Sequence, residues 1–389
     1  MLKETVETAK TKERIFSMNK KGKYKKKVIL SLLLTIVILF VAAGVWYGIQ
    51  IYSTQKLLGR VKNMPFEELL NEALMGKEDA VVTIGVVKDG QTTYSVYGAD
   101  AKELAQTEYL YEIGSVTKTM TAALIARAIQ EDKLSLTDTI DKYLELPAKK
   151  TYPTIASILT HTSGLDNYYF EWGMLSYLIH PEENPFKGLT EDTILDEYKR
   201  VNLKENKDYG FEYSNYGFAL LGLVLENVYD ADYTELINEY LQNELGMTDT
   251  HIANGDADFE GSWQWEADDA YLSTGAVYSD ISDMLLYASA QLDNNPTFTM
   301  CHQRLKQINA SDKWDRIGGF CMDEIGMSWM IDTENGFIWH NGGTGLHTSY
   351  LGFCPEKKTA VVILSNLSME EDISATTLGY KKLLEISCE

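Results

Sequence analysis

Apolar positions change their spacing several times along this chain. Residues 28–49 read VILSLLLTIVILFVAAGVWYGI, 22 positions without a charge, preceded by Lys20, Lys21, Lys23, Lys25, Lys26 and Lys27. As a helix rising about 1.5 Å per residue, this run spans roughly 33 Å, enough for a bilayer's hydrocarbon core. The lysine flank orients such a helix with its N-terminus in the cytoplasm. The run exceeds a signal-peptide core, and no small-residue cleavage pattern follows it. The expectation is a basic cytoplasmic tail (1–27), a single-pass transmembrane helix and signal-anchor (28–49), a linker (50–64) and an extracytoplasmic domain (65–389) in the cell envelope.

Beyond residue 64 the periods shorten. Residues 65–76 alternate as an amphipathic helix between Pro65 and Gly76. Two β-rich runs, 80–88 and 91–98, flank Asp89-Gly90, a two-residue hairpin turn. Three more strands are predicted at 326–332, 347–353 and 359–365, and a closing helix over 370–387 with Ile373, Tyr380, Leu383 and Leu384 in register. Between the two strand clusters the pattern is helical over 117–131, 190–200, 216–229, 233–245 and 280–292, with turn-rich segments at 161–169 and 251–275. This predicts an α+β class, an α/β sandwich. Its mainly antiparallel sheet is built from both ends of the chain, flanked by terminal helices, with a large, mostly helical insert. A cleft between sheet and insert is the default ligand site.

Composition narrows the chemistry. Of 389 residues, 45% are hydrophobic and 24% charged, an ordinary globular balance. The net charge of −22 is uneven: residues 1–27 hold ten Lys or Arg and three Glu, leaving 25 basic against 54 acidic residues in the remainder. Such a body repels phosphate backbones, which argues against nucleic acid as a partner. The four cysteines form no C-x-x-C pair, and the six histidines are scattered. Neither a metal nor a cofactor is required.

Three stretches carry candidate chemistry. Ser115 and Lys118 sit three residues apart at the start of an apolar helix, so a hydroxyl lies beside an amine on one face. A desolvated lysine there activates a serine; alternatively, Ser115 is only a helix cap. Tyr213 and Asn215 precede another helix, able to relay a proton and hold an amide, or to pack and cap. Finally, Trp339-His340-Asn341-Gly342-Gly343-Thr344-Gly345 lies between two predicted strands. It is a Gly-rich loop whose backbone can approach a ligand, or a plain hairpin loop.

In this order the three stretches resemble the serine β-lactamase and penicillin-binding protein superfamily, and within it the class C β-lactamase and D-alanyl-D-alanine carboxypeptidase/esterase branch. Its motifs S-x-x-K, Y-x-N and K-T-G or H-x-G are matched by Ser115–Lys118, Tyr213–Asn215 and His340–Gly342. LTHTSGL at 159–165, ELGM at 244–247 and LSTGAVYSDISDMLLYA at 272–288 look like the same family, and the likeness covers about residues 65–387. It implies that Ser115 is the acylated nucleophile, Lys118 its base and Tyr213 a second proton relay serving the deacylating water. It likewise implies that Asn215 orients substrate, that His340 and Gly342 line the substrate site, and that Ser115 and Gly343 supply the oxyanion N–H groups. His340 stands where many members carry lysine, and Asn341 where a hydroxyl residue is common; an imidazole is a weaker carboxylate anchor, which points away from strong β-lactam hydrolysis. His161 is expected to fix a turn. Residues 297–325 match no family element, and Cys301 and Cys321, which bracket them, are expected to be bridged.

The resemblance implies an acyl-enzyme hydrolase of a small ester, amide or peptide substrate, a cell-wall peptide among the candidates. The alternative is a penicillin-binding or cell-wall peptide sensor that acylates without turnover, or a structural envelope protein with a relic site.

Overall fold

The computed structural model describes residues 35–41, 43–48, 56, 59–169, 174, 180, 182–252, 262–311, 315, 319–369, 371 and 373–388. The chain divides into two compact units, Met1–Arg60 and Val61–Glu389. In the first, residues 35–41 and 43–48 are helical. No helix among the described residues is long and apolar enough to cross a membrane. This corrects the expected transmembrane helix over 28–49, and with it the membrane attachment, the envelope location and the extracytoplasmic body inferred from it. Residues 28–34, 42 and 49 of that run lie outside the described residues, as do the tail 1–27 and most of the linker.

The second unit opens on α1 (Phe66–Leu74), entered through Pro65, with Phe66, Leu69, Leu70, Ala73 and Leu74 turned inward. β1 (Val82–Lys88) and β2 (Gln91–Tyr97) form the expected hairpin. Both turn residues have positive φ, 51° at Asp89 and 78° at Gly90, as a two-residue turn of matching twist requires. The chain leaves through β3 (Tyr111–Glu112) and a tight 3₁₀ turn, Gly114–Val116. The insert then runs α2 (Thr117–Gln130), α3 (Ile155–Leu159), α4 (Glu191–Glu197), α5 (Asn215–Tyr229), α6 (Tyr233–Glu239), β4 (His251–Ile252), α7 (Leu272–Gly275), β5 (Val277–Ser279), α8 (Ile281–Leu292) and α9 (Pro296–His302). It returns through β6 (Lys306–Gln307), β7 (Glu324–Ile325), β8 (Met330–Asp332), β9 (Phe337–Gly343), β10 (Thr348–Cys354) and β11 (Thr359–Ser365), and closes on α10 (Ala375–Cys388).

The large sheet has the order β2-β1-β11-β10-β9-β8-β7-β6, antiparallel at every pairing, so strands from both ends of the chain meet at β1–β11. β10 and β11 are buried at every position because both faces are covered. Ala360, Val362 and Leu364 join the core of the insert with Ile281 and Leu285 of α8. Gly85 of β1 lets that helix approach closely: a Cβ there would sit 2.7 Å from Ile281. α10 packs against β10 and β11 with buried Leu378 and Leu383. The α/β sandwich expected for the body is therefore present, apart from the membrane helix.

Two local expectations change. The Gly-rich stretch at 339–343 is not a loop but the end of β9, paired to β10 from Gly343↔Thr348 to Trp339↔Gly352. Cys301 and Cys321 are not bridged; all four cysteines are free, with Cys301 buried and its Sγ donating to the Ala122 carbonyl at 3.7 Å.

Candidate active site

Ser115 lies in the 3₁₀ turn that precedes α2, where β3 of a small sheet, β3-β5-β4, delivers the chain to the helix. Gly114 adopts φ +50°, and a Cβ on it would lie 2.5 Å from the Gly343 nitrogen. Glycine is required there on both counts. The turn sets Lys118 on the first turn of α2, completely buried. Its Nζ donates to Ser115 Oγ at 3.0 Å and to the Thr274 carbonyl on α7 at 2.7 Å. Burial without a carboxylate partner pushes the Lys118 ammonium well below its usual range. That shift favours the unprotonated amine, the form that can take the serine proton.

Tyr213 faces the same point from the insert. Burial raises its pKa, against a smaller lowering influence from the Ser115 hydroxyl, and favours the protonated phenol. Lys118 Nζ lies 5.1 Å from the centre of the Tyr213 ring. His161 stacks on that ring, centroids 4.3 Å apart. Its backbone turns with φ 52°, its carbonyl accepts from Glu212 N–H at 2.8 Å, and its Nδ1 accepts from Ser214 N–H at 3.1 Å. The structure therefore places the LTHTSGL turn behind the Tyr-x-Asn motif, where His161 holds Tyr213 in place. Ser214 caps α5 by accepting from Gly217 N–H at 2.9 Å. Asn215 opens α5, its Nδ2 donating to Asn167 Oδ1 at 2.9 Å, which leaves its own carbonyl oxygen to other donors.

The third wall is β9. His340 is buried, and its Nδ1 lies 2.6 Å from the Asn341 carbonyl. A carbonyl only accepts, so Nδ1 carries the proton and Nε2 is a bare, buried acceptor without a partner. Burial, the largest influence, pushes the imidazole pKa down to about 3. Gly342 is pressed against the Ser115 turn: a Cβ on it would be driven into the Ile113 carbonyl and lie 2.9 Å from the Ser115 nitrogen. Gly343 follows at the strand end, beside Gly114 and under Met369. Ser115, Lys118, Tyr213, His340, Gly342 and Gly343 are thus brought to one place, with Asn215 two residues after Tyr213 at the head of α5.

Sequence reasoning missed the Thr274 carbonyl and the Asn167 amide. Both lie in or beside stretches singled out by their resemblance, LSTGAV and LTHTSGL, but a backbone acceptor and a turn amide have no spacing signature. Among the described residues, Cys321, Asp323 and Asp332 are close enough to share a metal ion. The Asp332 oxygens are already taken by Glu334 N–H, Asn335 N–H and Nδ2, and Tyr380, which makes them parts of a turn.

Residues 72–380 match the family model described as Beta-lactamase. Protein flp of Staphylococcus aureus (strain MW2) is 24% identical over 327 residues, covering 74% of this chain and 60% of that protein. The chain thus spans about three fifths of the length of the curated relative it matches. The fold resembles the octameric penicillin-binding protein homologue from Pyrococcus abyssi (TM-score 0.64, 20% identity, 83% of this chain and 77% of that one). It also resembles a β-lactamase/D-alanine carboxypeptidase from Yersinia pestis (TM-score 0.66, 18% identity, 86% and 99%). The fold is that of the serine hydrolase and penicillin-binding protein superfamily, related at low identity to class C β-lactamases and D-alanyl-D-alanine carboxypeptidases.

Proposed function

We propose that this chain, which belongs to the Beta-lactamase family and shares its serine-hydrolase mechanism, forms an acyl-enzyme on Ser115 with a small ester, amide or peptide. The observation that carries this reading is the contact between Ser115 Oγ and the buried Lys118 amine, 3.0 Å apart. Lys118 takes the hydroxyl proton as Oγ attacks the carbonyl carbon. The N–H groups of Ser115 and Gly343, on opposite walls, receive the oxyanion. The tetrahedral adduct collapses, and the leaving group departs with a proton relayed from Lys118 through Tyr213. Water then attacks the ester, giving its proton to the same relay, and the acid product leaves. Within the superfamily, the Tyr-x-Asn motif and His340–Gly342 favour the class C β-lactamase and carboxypeptidase/esterase branch.

A second reading rests on Tyr213. A phenol kept protonated by burial is a poor base for the deacylating water, which favours a long-lived adduct and a penicillin-binding or peptide-sensing role. Intact-mass analysis after exposure to a fluorophosphonate and to a penicillin tests both. One adduct per chain, absent in Ser115→Ala, is expected; full ester hydrolysis by Ser115→Ala would overturn the proposal. Loss of the penicilloyl mass within minutes indicates an enzyme, and its persistence a sensor.

A further inference from the structure

Glu112 lies three residues before Ser115 and is 2% exposed. Its carboxylate accepts three hydrogen bonds. Oε1 takes the Trp263 N–H at 2.7 Å, while Oε2 takes the Thr344 hydroxyl at 2.7 Å and His347 Nδ1 at 3.0 Å. Thr344 and His347, 2% and 6% exposed, are the two ends of the loop joining β9 to β10, itself closed by Thr344 N–H on the His347 carbonyl at 2.9 Å. Tyr111 meets the His347 ring edge-on at 5.9 Å, and Ser349 Oγ donates to the Ile113 carbonyl at 2.7 Å. The stretch from Glu112 to Ile113 and the β9–β10 hairpin are therefore joined by buried polar bonds close to the Gly114–Gly343 contact.

This arrangement stands out because β3 pairs with β5 in the small sheet, whereas β9 belongs to the large one. No strand pairing fixes the distance between the Ser115 nitrogen and the Gly343 nitrogen. Thr344 is the residue after Gly343, so a bond that holds its side chain also holds the neighbouring peptide. Oxyanion stabilisation depends on the spacing of two donors to within a few tenths of an ångström.

We propose that Glu112 is a positioning residue: through Thr344 and His347 it locks the Gly343 N–H opposite the Ser115 N–H, and so sets the acylation rate. This rests on the reading of Ser115 as nucleophile. Substituting alanine removes the acceptor that Trp263 N–H, Thr344 and His347 share. Glutamine is the conservative variant. Its carbonyl oxygen accepts from Trp263, and its amide donates to a threonine that turns its hydroxyl and to a histidine that changes tautomer.

The test is single-turnover acylation by a p-nitrophenyl ester, separating the acylation rate from substrate affinity. Glu112→Ala is expected to acylate about 10–100-fold more slowly with affinity within about twofold of wild type, a fraction of the cost of deleting an oxyanion donor. Glu112→Gln should recover to within about threefold. Thr344→Val, isosteric and far less disruptive, should lose about 3–10-fold by the same logic and decides the matter if the alanine variant does not fold. Wild-type acylation by Glu112→Ala or Thr344→Val, or equal losses in Glu112→Ala and Glu112→Gln, would overturn the inference. Ser115→Ala, run alongside, separates the two claims: if it still acylates, the proposed nucleophile fails; if it is inert and Glu112→Ala is normal, only the positioning role fails.

Discussion

The two walls that meet at Ser115 are built by opposite means. The insert contributes bulk: Lys118, Tyr213, His161 and Phe218 are long or aromatic side chains packed on one another, and their closeness removes water from the amine. The sheet side contributes absence. Gly114, Gly342 and Gly343 bring bare backbone to within contact of bare backbone, and His340 behind them offers neither charge nor donor at its inner nitrogen. On the proposed mechanism, one wall handles protons and the other the developing negative charge. The first depends on what its side chains exclude; the second has no side chains to spare.

The sharpest way to break this division is Lys118→Met. It keeps the length and removes the base, so ester acylation should fall about 10²–10⁴-fold. Stability should move the other way. Burial lowers the Lys118 pKa in the folded state, so between that lowered value and about 10.4 the unfolded chain binds a proton that the folded chain does not. The wild type therefore loses stability as pH falls through this window, and the methionine variant does not share that loss. Thermal melts at pH 6 and pH 9 should show the variant's advantage growing toward pH 6; a gap that shrinks would mean that Lys118 is charged in the fold.

Gly342→Ala attacks the other wall. A methyl group has to displace the Ile113 carbonyl or lift β9 off the nucleophile turn. Acylation should drop roughly 10²-fold as the oxyanion donors separate, with an overpacking cost of about 1–3 kcal/mol. Stopped-flow acylation and a urea melt measure both. Unaltered acylation would show that this contact does not set the donor geometry.

The same contrast explains what the sequence could reveal. Side chains leave patterns: Ser115–Lys118 at helical spacing, Tyr213–Asn215 before a capped helix, and hairpin strands around Asp89-Gly90 are all readable before any coordinates. β11 is legible because Ala360–Leu364 is a continuous apolar run, and β10 because aromatic and aliphatic residues cluster at Tyr350, Leu351 and Phe353. The small sheet is not, since strands of two or three residues are too short to show a period. The glycines of β9 read as a loop because glycine weakens strand propensity, and only the facing Ile113 carbonyl explains why they lie in a strand. Glu112 was invisible for a related reason: its partners are 232 and 235 residues away.

Tyr213→Phe sharpens the proton-handling wall from within. The ring still stacks on His161 and still covers Lys118, so the fold and the acylation burst should survive. What is lost is the hydroxyl that Ser115 influences. Deacylation should slow about tenfold more than acylation, giving a burst followed by weak turnover. Equal slowing of both steps, measured by quenched-flow mass spectrometry, would place Tyr213 on the path of the first proton instead.

The smallest effect is expected at His340, and it tests whether the sheet wall is truly without charge. Its Nδ1 proton is committed to the Asn341 carbonyl at 2.6 Å, and its Nε2 is buried. A second proton would have to enter a water-poor site beside Lys118, which is why the folded pKa is pushed down to about 3. Because the folded value lies below the unfolded one of about 6.5, the unfolded chain gains a proton first on acidification. The neutral ring's contribution to stability is present above pH 6.5 and declines toward pH 3. Between pH 6 and pH 8 nothing at His340 titrates, so the pH–rate profiles of wild type and His340→Gln should have the same shape over that range. Imidazole ¹⁵N shifts should report a neutral Nδ1–H tautomer throughout. An inflection in the wild-type profile near pH 6.5 that disappears in His340→Gln, together with imidazolium shifts, would put a cation on the sheet wall and restore a carboxylate anchor at this position.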